Sequence, residues 1–186
     1  MSSASSAPAW RRPQVLAITG IVVIALLAGT WFFVLRDGRS AYCDDLKSWV
    51  NKSKETIAPD ADLATSAKAL AEGIDRRIDG AKKFSKEGPD DLRADWKLFH
   101  QRLVDVVEVF KKVGYDLTDS ASIEKFATDV QSGALNNIDP ALQAEAAAVQ
   151  EKLADDESTK AIDAITKDAE ENCGIADFQL SPTATP

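Results

Sequence analysis

The stretch that decides the fold is residues 92–113, LRADWKLFHQRLVDVVEVFKKV. Its apolar side chains recur at alternating steps of four and three residues, at Leu92, Trp96, Phe99, Leu103, Val106, Phe110 and Val113. This spacing aligns them along one side of an α-helix and is typical of helices that pack nearly parallel to their neighbours. It therefore predicts a helix from about Asp90 to Val113, with Gly114 as the residue that ends it.

Apolar residues at helical spacing also occur in the sequence before and after this stretch. They predict further helices at Ala41–Ile57, Asp62–Ser85, Ala121–Ser132, from Asp139-Pro140 to about Ala154, and in a final segment that ends at Cys173. No segment alternates apolar and polar residues with period two. We therefore expect an all-α fold, an up-down bundle with four long passes and one short helix. Gly73 and Gly80 interrupt the second helix, where they either allow close approach of a neighbour or weaken the helix locally.

An uncharged apolar run extends from Val15 to Leu35. Its length of about 21 residues is enough to cross the bilayer core as one helix. A cleaved signal peptide is the first alternative, but its apolar region is usually shorter and ends at a site of small residues. A lipoprotein signal would need a Cys after Leu27-Ala28-Gly29, where Thr30 stands. We expect a disordered tail at 1–13 and an uncleaved transmembrane helix at 14–36.

The chain has two cysteines, Cys43 and Cys173, near the two ends of the region that follows the apolar run. In a bundle of four passes these two ends meet at one pole, so the thiols would lie close enough to form a disulfide. Such a pair oxidises outside the cytosol, and the alternative is two unrelated buried thiols in a cytosolic domain. Lys and Arg residues flank both ends of the apolar run, so the distribution of positive charge does not indicate which end is cytoplasmic. We infer the orientation of the chain from the cysteines instead. We expect a cytoplasmic N-terminus, an extracytoplasmic bundle at 40–176 and a disordered tail at 177–186.

The net charge of −8 constrains the partners of the protein. Residues 40–186 contain 29 of the 30 acidic residues and 18 of the 22 basic ones, a net charge of −11, which argues against binding to nucleic acid and against a bundle that lies on anionic lipid. His100, the single histidine, lacks a second ligand at helical spacing, and the paired acidic residues lack the spacing of a calcium loop. We therefore expect no enzyme, no metal and no cofactor.

The large aromatics Trp96 and Phe99 either pack in the core or line a pocket for a small ligand.

Two short segments carry a resemblance. Tyr42-Cys43 follows the apolar run, and Glu171-Asn172-Cys173-Gly174-Ile175 lies near the other end of the domain. In this pairing the chain resembles uncharacterised, membrane-anchored envelope proteins of high-GC Gram-positive bacteria. The resemblance covers only these two ends of the domain. It implies a place in the cell envelope and no particular activity.

Two functions are compatible with this reading. The first is an interaction or accessory module of the envelope, anchored in the lipid bilayer through Val15–Leu35 and bound to a protein partner in the membrane or envelope. The second is a small-ligand-binding bundle, a sensor or carrier, with Trp96 and Phe99 in its pocket. An enzyme, the third class, would need acids with perturbed pKa values gathered in a cleft.

Overall fold

The computed structural model describes residues 39–53, 61–137, 139–176, 178 and 180. Within these ranges the chain forms the α-helices α1 (Ser40–Ser53), α2 (Leu63–Glu87), α3 (Arg93–Lys112), α4 (Ser120–Ser132), α5 (Pro140–Leu153) and α6 (Asp156–Glu171), and a 3₁₀ helix at Ala134–Asn137. No strand occurs among the residues described, so the all-α prediction is confirmed for this part of the chain. The predicted tail 1–13 and transmembrane helix 14–36 lie outside the described residues. None of the helices that the structure describes is long and apolar enough to span a bilayer.

Aspartate side chains fix where four of the helices begin. Each aspartate accepts a hydrogen bond from a backbone N–H in the first turn, which satisfies one of the donors that a helix start leaves unpaired. The acceptors and donors are Asp62 with Thr65, Asp119 with Ser122, Asp139 with Ala141, and Asp155 with Ser158. The predicted start at Asp139-Pro140 is therefore confirmed, with Pro140 as the first helical residue.

Several helix boundaries differ from the sequence prediction. α3 begins at Arg93 instead of Asp90 because Pro89 and the next residues form a turn, in which the Leu92 N–H donates to the Pro89 carbonyl at 2.9 Å. α1 is described as far as Ser53, and the predicted continuation to Ile57 lies outside the described residues. α2 continues to Glu87, two residues beyond the predicted end.

The order of contacts along the helices defines the topology. α1 and α2 are antiparallel, because Tyr42 packs on Phe84 and Asp45 pairs with Lys83. Lys112 at the end of α3 pairs with Glu145 of α5, and Arg102 in the middle of α3 pairs with Asp155 just before α6. Asp91, just before α3, is linked through Arg39 to Asp168 of α6. α5 and α6 therefore run in the same direction, antiparallel to α3, and together make the fourth pass.

The bundle consists of two layers that share the long helices α2 and α3. In the basal layer α1 and α6 complete a core of Tyr42, Cys43, Leu46, Val50, Ala81, Phe84, Leu92, Trp96, Phe99, Ile165, Ala169 and Cys173. In the distal layer α4 and α5 complete a core that includes Ile74, Val106, Val107, Val109, Phe110, Phe126, Ala146 and Val149. α1 and α4 have 14 and 13 residues, so each covers only about half of the 25-residue α2. The short helix α4 thus occupies the half of the bundle that α1 does not reach.

A disulfide closes the basal pole. It joins Cys43 in the first turn of α1 to Cys173 just after α6, with the two Cα atoms 5.1 Å apart. Both side chains are almost fully buried. The predicted pairing, and the predicted return of the last pass to the pole where the first begins, are therefore confirmed.

The basal core extends beyond the predicted end of the domain at residue 176. Ile175, Phe178 and Leu180 are buried in it, although the last two fall in the predicted disordered tail 177–186. Single apolar residues at alternate positions give no helical stripe, so the sequence pattern did not identify them. Residues 177, 179 and 181–186 lie outside the described residues.

The two glycines of α2 are expected to respond oppositely to substitution by alanine. A Cβ at Gly80 would lie 2.1 Å from Nε1 of Trp49, whereas a Cβ at Gly73 meets nothing within 4 Å. The Trp49 ring cannot easily move, because its Nε1 donates to the Arg76 carbonyl at 2.9 Å and its ring contacts Phe84 and Trp96. G80A should therefore destabilise by about 1–3 kcal/mol through overpacking. G73A should stabilise by up to about 1 kcal/mol through helix propensity.

Urea unfolding of both variants, followed by circular dichroism, measures this difference. G73A is the matched control, since it makes the same chemical change in the same helix. Equal effects of the two substitutions would show that α1 and α2 do not approach closely at Gly80.

Candidate functional site

Five aromatic side chains meet in the basal core, and Trp96 lies at their centre. Its ring centroid is 4.8 Å from that of Phe84, 5.9 Å from that of Phe99 and 6.0 Å from that of Trp49. The Tyr42 ring packs edge-on against Phe84, and the Tyr42 hydroxyl accepts a hydrogen bond of 3.1 Å from Nε1 of Trp96. These spacings and the mostly edge-to-face orientations are those of aromatic groups packed in a core.

This arrangement bears on the predicted ligand pocket at Trp96 and Phe99. The two residues do lie together, but Trp96 is fully buried and Phe99 is only 9% exposed, and their rings face other side chains of the bundle. The polar atoms of the cluster are already hydrogen-bonded, since Nε1 of Trp96 donates to the Tyr42 hydroxyl and Nε1 of Trp49 donates to the Arg76 carbonyl. A ligand would have to displace such contacts. The pocket therefore stays a prediction, and core packing explains the positions of both residues.

A second group of polar side chains lies at the basal pole, and we call Arg39, Asp91 and Asp168 the basal clamp. Nη2 of Arg39 donates to both carboxylate oxygens of Asp91, at 2.8 and 2.7 Å. Nη1 of the same guanidinium donates to Oδ1 of Asp168. Asn172 also donates to that oxygen, at 2.6 Å. One arginine thus joins the start of α1 to the turn before α3 and to the last turns of α6.

Asp168 is the buried member of the basal clamp. Its side chain is 6% exposed, and its Oδ2 atom has no hydrogen-bond partner among the described residues. Burial raises the pKa of this carboxyl, against the hydrogen bond from Asn172 and the positive charge of Arg39, which lower it. For the exposed Asp91, the hydrogen bond from Arg39 lowers the pKa. Both carboxylates thus depend on one guanidinium, and the buried one is compensated incompletely.

A second arginine, Arg102 of α3, joins helices through its side chain in the fourth pass of the bundle. Its Nε donates to the Ser158 hydroxyl at 2.9 Å and its Nη2 to Asp155 at 2.9 Å, and the Ser158 hydroxyl donates to the Lys152 carbonyl at 2.7 Å. These bonds attach the junction between α5 and α6 to the middle of α3. Their role is therefore structural, and they explain how two separate helices form one pass.

Sequence reasoning did not identify Arg39, Asp168 or Arg102 as structural residues. A signal was present for Asp168, because it lies three residues after Ile165 and one before Ala169, on the buried stripe of α6. A charged residue on an apolar stripe is rarely buried without a partner. The hydrogen bonds of Arg39 to Asp91 and of Arg102 to Asp155 and Ser158 join residues 52 or more positions apart in sequence, so no local pattern reveals them.

His100 lies half-buried on α3, directly after the buried Phe99. Burial and the positive charges of Lys82 and Lys86 lower its pKa, and Asp79 opposes them. The folded protein therefore favours the neutral imidazole more than the unfolded chain does. A base with a lowered pKa contributes full stability above its unfolded pKa, near 6.5, and loses it as the pH falls toward its folded pKa.

The stability of the wild type should therefore decrease more between pH 7 and pH 5 than that of H100Q. Melting temperatures of the two proteins across this interval measure the difference, and the comparison cancels the carboxyl groups that both contain. At pH 7 the two should differ little. A wild type that instead gained stability relative to H100Q on acidification would show that the folded state favours the charged imidazole.

The described residues contain no group of three or more His, Cys, Asp or Glu side chains arranged to hold a metal ion. The basal clamp contains a guanidinium and two carboxylates, but the guanidinium already occupies three of the four carboxylate oxygens. Its chemistry is that of an attachment between helices. Comparisons of the chain with protein-family models, with curated proteins and with solved structures give no match.

Proposed function

We propose that this protein is a membrane-anchored, extracytoplasmic interaction or accessory module of the cell envelope. In this proposal the run Val15–Leu35 is the single transmembrane helix, the N-terminus is cytoplasmic, and the bundle presents its surface to a protein partner in the membrane or envelope. The proposal assigns no catalytic step to the chain.

The disulfide is the observation that carries this proposal. Cys43–Cys173 links residues 130 positions apart, and such bridges persist in oxidising compartments and are rare in the cytosol. It supports a bundle outside the cytosol. Because the apolar run precedes the bundle directly in sequence, an extracytoplasmic bundle requires an N-terminus on the cytoplasmic side.

The surface of the bundle supports recognition through polar groups. Leu63, at 45% exposure, is the exposed large hydrophobic residue among those that the structure describes. Stable docking through a hydrophobic groove needs a larger apolar patch than one leucine provides. The acidic charge also opposes contact with anionic lipid head groups. We therefore infer a partner that is recognised through hydrogen bonds and charge, at a distance from the lipid surface.

Cysteine labelling in intact cells tests the topology. One variant carries A121C, at an exposed position of α4 in the distal layer, and the other carries S3C, before the apolar run. A membrane-impermeant maleimide should label A121C in intact cells and S3C only after lysis. The wild type is the control and should remain unlabelled, since its two cysteines are bonded and buried. The reverse labelling pattern would place the bundle in the cytosol and refute the proposal.

Crosslinking in cells, followed by purification in mild detergent, tests for the partner. A control protein has Val15–Leu35 replaced by an unrelated transmembrane helix. A partner retained by the control binds the bundle, and a partner lost from it binds the membrane helix. If neither protein retains a partner in stoichiometric amount, the interaction function is refuted.

The alternative is a membrane-anchored bundle that binds a small ligand, as a sensor or carrier. The aromatic cluster around Trp96 and Phe99 is the observation in its favour, because aromatic groups often line ligand sites. It requires these side chains to move apart on binding. The loss of stability in W96A separates this alternative from a purely structural cluster, because residues that line an open pocket contribute less to stability.

A further inference from the structure

Each cysteine of the disulfide lies about one turn away from a member of the basal clamp. At the start of α1, the Cys43 N–H donates to the Arg39 carbonyl at 2.9 Å. At the end of α6, the Cys173 N–H donates to the Asp168 carbonyl at 3.2 Å. Each cysteine is therefore connected through a short hydrogen-bonded turn to one partner of the Arg39–Asp168 ion pair.

Asp168 holds the turn that carries Cys173 through its backbone and its side chain. Its carbonyl accepts the N–H of Asn172 at 2.9 Å as well as that of Cys173. Its Oδ1 atom accepts a further hydrogen bond, of 2.6 Å, from the side chain of Asn172. These bonds fix the carboxylate relative to the backbone of Cys173, so a group that binds the carboxylate also determines where Cys173 lies.

Arg39 links this turn to α1. Its Nη1 donates to Oδ1 of Asp168, and the two side chains are 28% and 6% exposed, so water screens the contact only partly. Its Nη2 binds both oxygens of Asp91, which fixes the plane of the guanidinium. None of these contacts involves a sulfur atom, so the ion pair does not require the disulfide. With the pair in place, the Cα atoms of Cys43 and Cys173 lie 5.1 Å apart, which suits a disulfide.

We propose that Arg39 and Asp168 are positioning residues for the formation of the disulfide. In the reduced protein their ion pair holds the two thiols together, which raises the effective concentration of each thiol at the other. The bridge and the ion pair then stabilise each other, because each reduces the freedom that the other must restrict. This inference concerns only contacts within the bundle and does not depend on the proposed function.

The oxidation itself needs an external disulfide, for which glutathione disulfide is the probe. The thiolate of one cysteine attacks it, forms a mixed disulfide and releases one glutathione thiol. The thiolate of the other cysteine then attacks the protein sulfur of the mixed disulfide and releases the second glutathione thiol. The two protein thiols lose two electrons and two protons, and the two glutathione thiols receive them. The ion pair acts on the second step, because only that step requires the two cysteines to meet.

The equilibrium between bridged and reduced protein tests the role of the ion pair. The full-length chain in mild detergent is equilibrated with mixtures of reduced and oxidised glutathione. Alkylation of free thiols and mass spectrometry then give the effective concentration of the two cysteines. R39M should lower it about tenfold, the change expected from the loss of a charge-assisted hydrogen bond. R39K, which keeps the charge, should lie between R39M and the wild type.

Two controls separate positioning from general stabilisation. K83Q breaks the exposed ion pair between Lys83 of α2 and Asp45 of α1, which involves the helix of Cys43 but not the turn of Cys173. D91N breaks the other contact of the same guanidinium, to a residue on neither cysteine segment. K83Q should resemble the wild type, and D91N should change less than R39M. A contact that only stabilises the fold affects bridged and reduced protein equally and leaves the effective concentration unchanged.

A double variant, R39M with D168N, keeps the test decisive if R39M alone does not fold. It also lacks the ion pair but leaves no buried carboxylate without a cation. It should lose as much effective concentration as R39M, while circular dichroism of the reduced protein shows that it is folded. A folded double variant with the effective concentration of the wild type refutes the positioning role. A decrease in K83Q or D91N as large as that in R39M also refutes it, because any loosening of the basal pole would then have the same effect.

Discussion

Reduction of the Cys43–Cys173 disulfide should lower the free energy of unfolding of the bundle by about 4–5 kcal/mol. The bridge joins residues 130 positions apart, and in the chain-entropy model a loop of this size restricts the unfolded chain by about that amount. Net stabilities of single domains are about 5–15 kcal/mol, so the bridge accounts for a large share. Urea unfolding of residues 39–186, oxidised and reduced, measures the change by circular dichroism.

A variant with both C43A and C173A provides the control. Its unfolding should be the same with and without reductant, which separates loss of the bridge from other effects of the reagent. Hydrogen exchange should also show where the reduced protein loosens. Protection should be lost first in α1, because this short helix borders only the basal layer, while α4 and α5 retain theirs. Equal midpoints for the oxidised and reduced protein would mean that the bridge does not contribute to stability.

W96A should be the most damaging single substitution in the basal core, with a cost of about 3–5 kcal/mol. Trp96 is fully buried, and its ring contacts three other aromatic rings, so truncation leaves a large cavity. It also removes the N–H that donates to the Tyr42 hydroxyl, in a buried environment where burial already raises the pKa of that hydroxyl. Urea unfolding of W96A and the wild type measures the loss.

Y42F is the matched variant for the hydrogen bond alone. It keeps the ring packed on Phe84 but leaves Nε1 of Trp96 without its acceptor, at a cost of about 1–3 kcal/mol. The ratio of the two effects separates packing from hydrogen bonding. If W96A unfolds at nearly the same urea concentration as the wild type, the side chain does not support the core. The ligand-binding alternative would then gain support, since residues that line an open pocket contribute less to stability.

The sequence predicted the helical elements with useful accuracy, because their signals are local. The stripe from Leu92 to Val113 forms the buried side of the central helix, where each of its members is buried or half-buried. Val107 and Val109 are buried as well, which the predicted seam did not include. α3 is covered on more than one side, since it contacts helices of both layers, and a single stripe understates how much of such a helix is buried.

At the basal pole, some contacts could be predicted from the sequence and others could not. Pairing of Cys43 with Cys173 could be predicted, because the number of passes determines which pole each end reaches. The contacts of Arg39 could not, since Asp91 and Asp168 meet it only after α3 and α6 are placed. The same holds for Phe178, whose burial depends on the surface that the disulfide and α6 create.

By itself, the sequence determined the class of fold, the helix start at Asp139-Pro140, the disulfide and an acidic surface. These follow from spacing, from side chains that bond to their own backbone neighbours, and from charge, which require no knowledge of distant residues. Only the tertiary structure decided that α1 and α4 pack against different halves of α2, and that α5 and α6 form one pass. It also decided that Arg39 binds both Asp91 and Asp168. Each of these depends on which helices become neighbours, and that choice minimises the exposed apolar surface of the whole chain.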